Sequence, residues 1–206
     1  MANLETKACI SLSEALREKK NFSFGKSRER IIGGNYNSWG VPIKTVREVV
    51  KDNYRKYGKL YSQPENLETS FCLLSNNTFE CKIAGILWLG LVAQDEIIRF
   101  EEIEERIFEN IDNWALVDTL ASDVFSVGIR RNPHTISLID RWINSENKWK
   151  RRCAAVTTVK SSKYIEDWPD FSTMVLEKLE NENEPIVQKA IMWLKKEISR
   201  KVGSGK

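Results

Sequence analysis

Asp118 stands apart among the carboxylates of this chain. In Asn113-Trp-Ala-Leu-Val-Asp-Thr-Leu-Ala121 it follows Trp114 by four residues, so on a helix the indole and the carboxylate project from one face. The same spacing sets Lys189 and Trp193 together in Gln188-Lys-Ala-Ile-Met-Trp193, and between the two segments lies Trp149-Lys-Arg-Arg-Cys-Ala-Ala155, which sets cations beside a third aromatic. Tryptophan is more often core than chemistry, and each segment alone reads first as packing. Three alike in series shift the balance toward a site. The single histidine, His134, follows Asn132-Pro133 at a helix start and reads as a capping or surface residue, so His-based triads and His-rich metal sites have almost no material. Acid chemistry must then rest on carboxylates, most of which lie in an acidic stretch and read as solvated.

These residues need helices to position them, and the chain supplies helix signals almost throughout. Val41-Pro42 opens a helix carrying Val46, Val49, Val50 and Tyr54, and Ser62-Gln-Pro-Glu65 has the form of a capping box. Asn77 is placed to cap the run of Ile83, Ile86, Leu87 and Leu91, and Asp112 to cap Trp114 to Phe125. Asn132-Pro133, Asn147, Trp168-Pro169 and Glu184-Pro185 mark four further starts, the last opening Ile186 to Arg200. Strand signals are nearly absent. Short helices in an unbroken series predict an all-α fold, a HEAT-like helix-pair solenoid (alpha-alpha superhelix) with a period of about 40 residues. On pattern alone a closed bundle serves nearly as well. Residues 1–40 read as an N-terminal helix and a basic loop over Asn21 to Trp39 belonging to the same domain, residues 41–201 as the repeat domain, and residues 202–206 as a disordered tail.

A hydrophobic fraction of 41% is that of an ordinary globular protein and excludes wholesale disorder, while a 30% charged fraction nearly cancels to +3. Local charge says more. Arg17 to Lys59 holds twelve basic residues against four acids, Arg141 to Lys163 seven against one, and Asp95 to Asp112 eight acids against two arginines. The segregation predicts one basic and one acidic face, although charge runs are also how solvated helix faces look. Cys9, Cys72, Cys81 and Cys153 form no CxxC pair and have no histidine at ligand spacing, so they read as reduced, packed thiols with no zinc site. The longest apolar run, Ile83 to Ala93, is too short for a membrane span, and Met1 to Leu12 lacks a signal pattern. The expectation is a cytoplasmic protein, nucleoid-associated in a prokaryote, acting as a monomer without cofactor or metal.

Four stretches in order give these features a family likeness: Trp39-Gly-Val-Pro-Ile-Lys-Thr-Val-Arg47, Asn113-Trp-Ala-Leu-Val-Asp-Thr-Leu-Ala121, Ser145-Glu-Asn-Lys-Trp-Lys-Arg-Arg-Cys-Ala-Ala155 and Val187-Gln-Lys-Ala-Ile-Met-Trp193. With them the chain resembles the HEAT-like-repeat DNA glycosylases of the AlkD-type DNA alkylation repair family, over about residues 36–200. The resemblance implies a catalytic aspartate at Asp118, cleft tryptophans at Trp114 and Trp193, and a phosphate-binding arginine at Arg152. Arg151, Lys148, Lys150, Lys189, Arg47 and Lys44 join Arg152 as expected DNA contacts. The family often has a tryptophan pair where Asn113-Trp114 stands, and it usually continues for another helix or two beyond Arg200.

The implied activity is excision of positively charged N3- or N7-alkylated purines from double-stranded DNA. Such a base leaves without protonation, so one carboxylate that stabilises the cationic sugar and aligns water, with indole faces around it, is sufficient. The family grips the sugar and backbone of the lesion and leaves the modified base exposed. Two other readings stay open: a non-catalytic HEAT-repeat module that binds branched or damaged DNA, and a protein-interaction scaffold. Asp118 favours the enzyme over the binder, and the basic stretches favour either over the scaffold.

Overall fold

The structure is a computed structural model and describes residues 6–32 and 36–203. Its helices run in series: α1 (Lys7–Arg17), α2 (Phe22–Ile32), α3 (Ile43–Lys56), α4 (Gln63–Leu74), α5 (Phe79–Asp95), α6 (Phe100–Phe108), α7 (Trp114–Leu120), α8 (Ser126–Arg131), α9 (Ser137–Ile143), α10 (Lys148–Lys160), α11 (Trp168–Lys178) and α12 (Pro185–Gly203). A single bridge between Asn37 and Thr78 is the nearest approach to a strand among the described residues. The fold is all-α, as the sequence predicts. The principal contacts join helices close in sequence: α4 with α5, α3 with α1 and α5, α10 with α9, α11 and α12. No described helix is long and apolar enough to cross a membrane.

Short polar side chains start several of these helices, because the first N–H groups of a helix have no partner of their own. Glu65 Oε2 accepts the Ser62 N–H at 2.8 Å, closing the expected capping box. Asn132 and Asn147 accept from His134 N and Trp149 N, at 3.2 and 2.9 Å. The other two expected caps lie one residue too early, since Thr78 rather than Asn77 precedes α5 and Asn113 rather than Asp112 caps α7.

α5 is buried along almost its whole length, and from Ile83 to Ala93 it is apolar on every side, as the central helix of a stack must be. Trp88 lies fully buried on it, edge-on to Tyr54 at 5.0 Å. The other half of the core gathers round Phe100, Phe108, Phe125 and Trp142, with the last two rings 4.5 Å apart. Between α7 and α8 the helix widens to a π turn over Ala121–Phe125, which aims Phe125 into this cluster. Gly90 lets α5 approach that turn, because a Cβ there would lie 2.4 Å from the Asp123 carbonyl oxygen.

Three expectations need correction. The sequence predicts a loop from Asn21 to Trp39; instead residues Phe22–Ile32 form α2, anchored where Asn21 N donates to Trp39 O at 2.7 Å. Cys9 and Cys72 are not free thiols but a disulfide joining α1 to α4, their Cα atoms 6.4 Å apart across a sequence separation of 63. Helix packing brings them together, and residue spacing carries no trace of it. Cys81 and Cys153 remain free and buried, and burial pushes the Cys81 thiol up to about 11. The tail expected over residues 202–206 is helical to Gly203, and the rest lies outside the described residues.

Candidate active site

Asn113 sets the entry of α7. Its side-chain oxygen accepts from Ala115 N at 2.8 Å, and its amide nitrogen donates to Ile32 O at 2.7 Å. The residue that departs from the family's tryptophan pair thus ties α7 to the end of α2. One turn into α7, Asp118 meets Arg152 from α10. The guanidinium donates through Nε at 2.9 Å and Nη2 at 2.8 Å to the two carboxylate oxygens, and through Nη1 to Ile186 O at 2.6 Å. Such a two-pronged grip fixes both position and plane of the carboxylate.

The Asp118 side chain keeps 23% of its surface exposed, against 7% for Arg152. Burial pushes the Asp118 carboxyl above the usual carboxylate range, while Arg152 and, behind it, Lys160 pull it back. Lys160 was not singled out in the sequence. It is exposed at the end of α10, with its ammonium 4.7 Å from the centroid of the Trp193 ring, and so links Trp193 on α12 to the charge of Asp118. Its only sequence signal is membership of the second basic stretch.

Trp114 is half-buried and lines an apolar hollow of about 320 Å³ together with residues of α2, α3 and α5. A larger hollow of about 700 Å³ lies between α11 and α12, lined by Leu176, Gln188 and Met192 among others, and includes none of Trp114, Asp118 or Trp193. Among the described residues no group of three or more His, Cys, Asp or Glu side chains gathers as a metal ligand set. His134 is exposed.

The expected DNA contacts divide. Lys44 and Lys189 are exposed. Lys148 faces Glu184 at 3.5 Å, Arg151 is held by Glu182 at 2.5 Å, and Arg47 grips Asp123 at 2.5 and 2.9 Å. Lys150 and Arg152 differ most from free phosphate ligands: Lys150 is 9% exposed and pairs with Glu105 at 2.5 Å, and Arg152 is turned inward onto Asp118. The basic face expected over Arg141 to Lys163 is therefore largely neutralised by acids from other helices and from the segment before α12, which linear charge counts do not register.

The family described as DNA alkylation repair enzyme matches residues 12–202, nearly the whole chain. The chain belongs to the DNA alkylation repair enzyme family. Membership places it in the repair of alkylated DNA, with DNA as partner. A solved structure described as a predicted DNA alkylation repair enzyme from Enterococcus faecalis is similar to this family member with a TM-score of 0.74 and 14% identity, over 88% of this chain and 84% of the other. At that identity the likeness speaks for the fold alone. No curated protein matches the sequence.

The inward turn of Arg152 gives this repair protein a test that separates positioning from phosphate binding. If activity needs ionised Asp118, the acid limb of the pH profile lies above the ordinary carboxylate value, and Arg152→Gln moves it higher, because the carboxyl then loses a cation that opposes the effect of burial. Arg152→Lys, with charge but no two-pronged grip, falls between. An unmoved limb, with the slope of log affinity against log salt reduced by about one unit, would instead assign Arg152 to phosphate.

Proposed function

We propose that the protein is a monofunctional DNA glycosylase that hydrolyses the N-glycosidic bond of N3- and N7-alkylated purines in duplex DNA. The observation that carries this reading is Asp118, gripped by Arg152, part-exposed, and set one helical turn from Trp114. A carboxylate held in that way faces developing positive charge without having to reorganise. In the reaction the bond to the base breaks with its electron pair moving to the ring nitrogen, which neutralises the cationic purine. Water then adds to the sugar carbon and gives up a proton to the solvent. Asp118 stabilises the cationic sugar and orients that water, and the indoles of Trp114 and Trp193 exclude bulk solvent.

Nothing in this arrangement protonates a neutral leaving base: the only histidine is exposed, and Asp118 must be ionised to act. Duplexes carrying one defined lesion should therefore lose 7-methylguanine or 3-methyladenine and keep uracil or 8-oxoguanine. The strand should stay intact until hot alkali cleaves it at the abasic site. Release of uracil would mean that an acid has been missed. Scission without alkali would mean a nucleophilic amine.

A further inference from the structure

To act on a sugar, Asp118 must bring a negative charge up to a backbone that carries a phosphate on either side of that sugar. The repulsion calls for a nearby cation that no acid of the protein has already claimed. Most cations of the basic stretch from Arg141 to Lys163 are claimed. Arg141 pairs with Glu104, Lys148 with Glu184, Lys150 with Glu105, Arg151 with Glu182, and Arg152 with Asp118 itself. Lys160 differs. Among the described residues no carboxylate forms an ion pair with it, and Glu197, which feels its charge, is gripped by Arg200 at 2.6 and 3.1 Å. It is the last residue of α10, exposed, with its ammonium 4.7 Å from the centroid of the Trp193 ring, and its charge reaches Asp118. An ammonium over an exposed indole is held more weakly than one hydrogen-bonded to a phosphate, so an arriving phosphate draws it away.

We propose that Lys160 binds a phosphate flanking the sugar that Asp118 faces, leaving the Trp193 ring to reach it. The proposal rests on the glycosylase reading of Asp118. An ammonium that stayed beside Trp193 would oppose the positive charge developing on the sugar. Neutralised by a phosphate it does not, and the phosphate so fixed holds the sugar against the carboxylate. The packing of α10 on α12 suits the move. Arg152 donates to Ile186 O at the start of α12, and Lys160 stands over Trp193 further along both helices, so the two run side by side in the same direction. Arg152 then holds the carboxylate and Lys160 the backbone, each from the same face of the stack that carries Trp193. A lysine in the last turn of a helix also complements the helix dipole, a role that affects stability and not phosphate binding.

Binding tests this without base release, on a duplex with a tetrahydrofuran abasic site and on the same duplex with an uncharged methylphosphonate as the linkage on its 5′ or its 3′ side. With all phosphates present, Lys160→Ala should weaken binding about tenfold and lower the slope of log affinity against log salt by about one unit. Lys160→Arg should recover most of the loss. At one of the two positions the methylphosphonate should weaken wild type about tenfold and Lys160→Ala less than about twofold, because the variant has no contact there to lose. Lys163→Ala, which removes a like charge from an exposed position beyond α10, should keep the wild-type response. An unchanged slope, or a methylphosphonate effect as large in Lys160→Ala as in wild type at both positions, overturns the proposal. So does weaker binding with a lower urea midpoint and an unchanged slope, the result for a lysine that only complements the end of α10. If the expected pattern appears but wild type releases no base from methylated DNA, the glycosylase reading fails while the phosphate site stands.

Discussion

Asp118→Asn lowers release of 7-methylguanine by roughly a hundred- to a thousand-fold, the range for removing one preorganised electrostatic contact from a transition state. The amide keeps the shape of the carboxylate, so α7 and its cap on Asn113 are untouched. What is lost is the negative charge that, in the proposed mechanism, faces the sugar. Affinity for duplex DNA should hold or rise slightly, because one anion leaves a surface that binds a polyanion. Arg152 also loses its counter-charge, although its hydrogen bond to Ile186 O remains. Single-turnover release and equilibrium binding on the same duplex separate the effects. Equal release by mutant and wild type would leave Asp118 as a structural partner of Arg152 and favour the non-catalytic DNA-binding module. Loss of both binding and folding would favour a structural role as well.

Glu80→Ala costs about 3–5 kcal/mol of folding stability, the usual range for removing one partner of a buried ion pair. Glu80 has no exposed surface, and its carboxylate organises the chain between α2 and α3. It accepts from Arg28, from the Ser38 hydroxyl at 2.8 Å, and from the backbone N–H groups of Trp39, Gly40 and Val41 at 2.9, 2.9 and 3.2 Å. Truncation leaves the N–H groups of Trp39 and Val41 without this acceptor and removes the counter-charge of Arg28, which keeps only Val41 O, while Gly40 N keeps the Ser38 hydroxyl. The turn they form needs glycine at Gly40, where φ is +73° and a Cβ would lie 2.0 Å from Asn21 O. Glu80→Gln keeps an acceptor oxygen but loses the charge that pairs with Arg28, and should cost about 1.5–3 kcal/mol. Urea denaturation gives both values, as a lower midpoint at unchanged slope. A loss below about 1 kcal/mol for the alanine variant would mean that α2 is held by something other than Glu80.

Asp118 and Glu80 differ in how far the sequence announces them. Asp118 is legible because its relation to Trp114 is local, a spacing of four residues that any α-helix turns into a shared face. Glu80 carries no such signal, since its partners lie about forty positions away and are mostly backbone N–H groups, which all residue types but proline present alike. The cations of α10 are legible only in part, for a related reason. Their clustering is visible in the chain, but the acids that neutralise them, Glu105, Glu182 and Glu184, come from neighbouring helices and segments.

By itself the sequence determined the all-α architecture, most helix starts and the Trp114–Asp118 face, because periodicity, capping and turn chemistry act over a few residues. The family likeness pointed to Trp193 and Arg152 as well. Only the tertiary structure decided how these parts meet. Arg152 reaches Asp118 across a separation of 34 residues, Arg47 reaches Asp123 across 76, Cys9 joins Cys72 across 63, and α2 leans on α7 to leave a hollow beside Trp114. Each depends on which helix faces pack together, a choice set by the summed burial of many side chains rather than by any spacing within one segment.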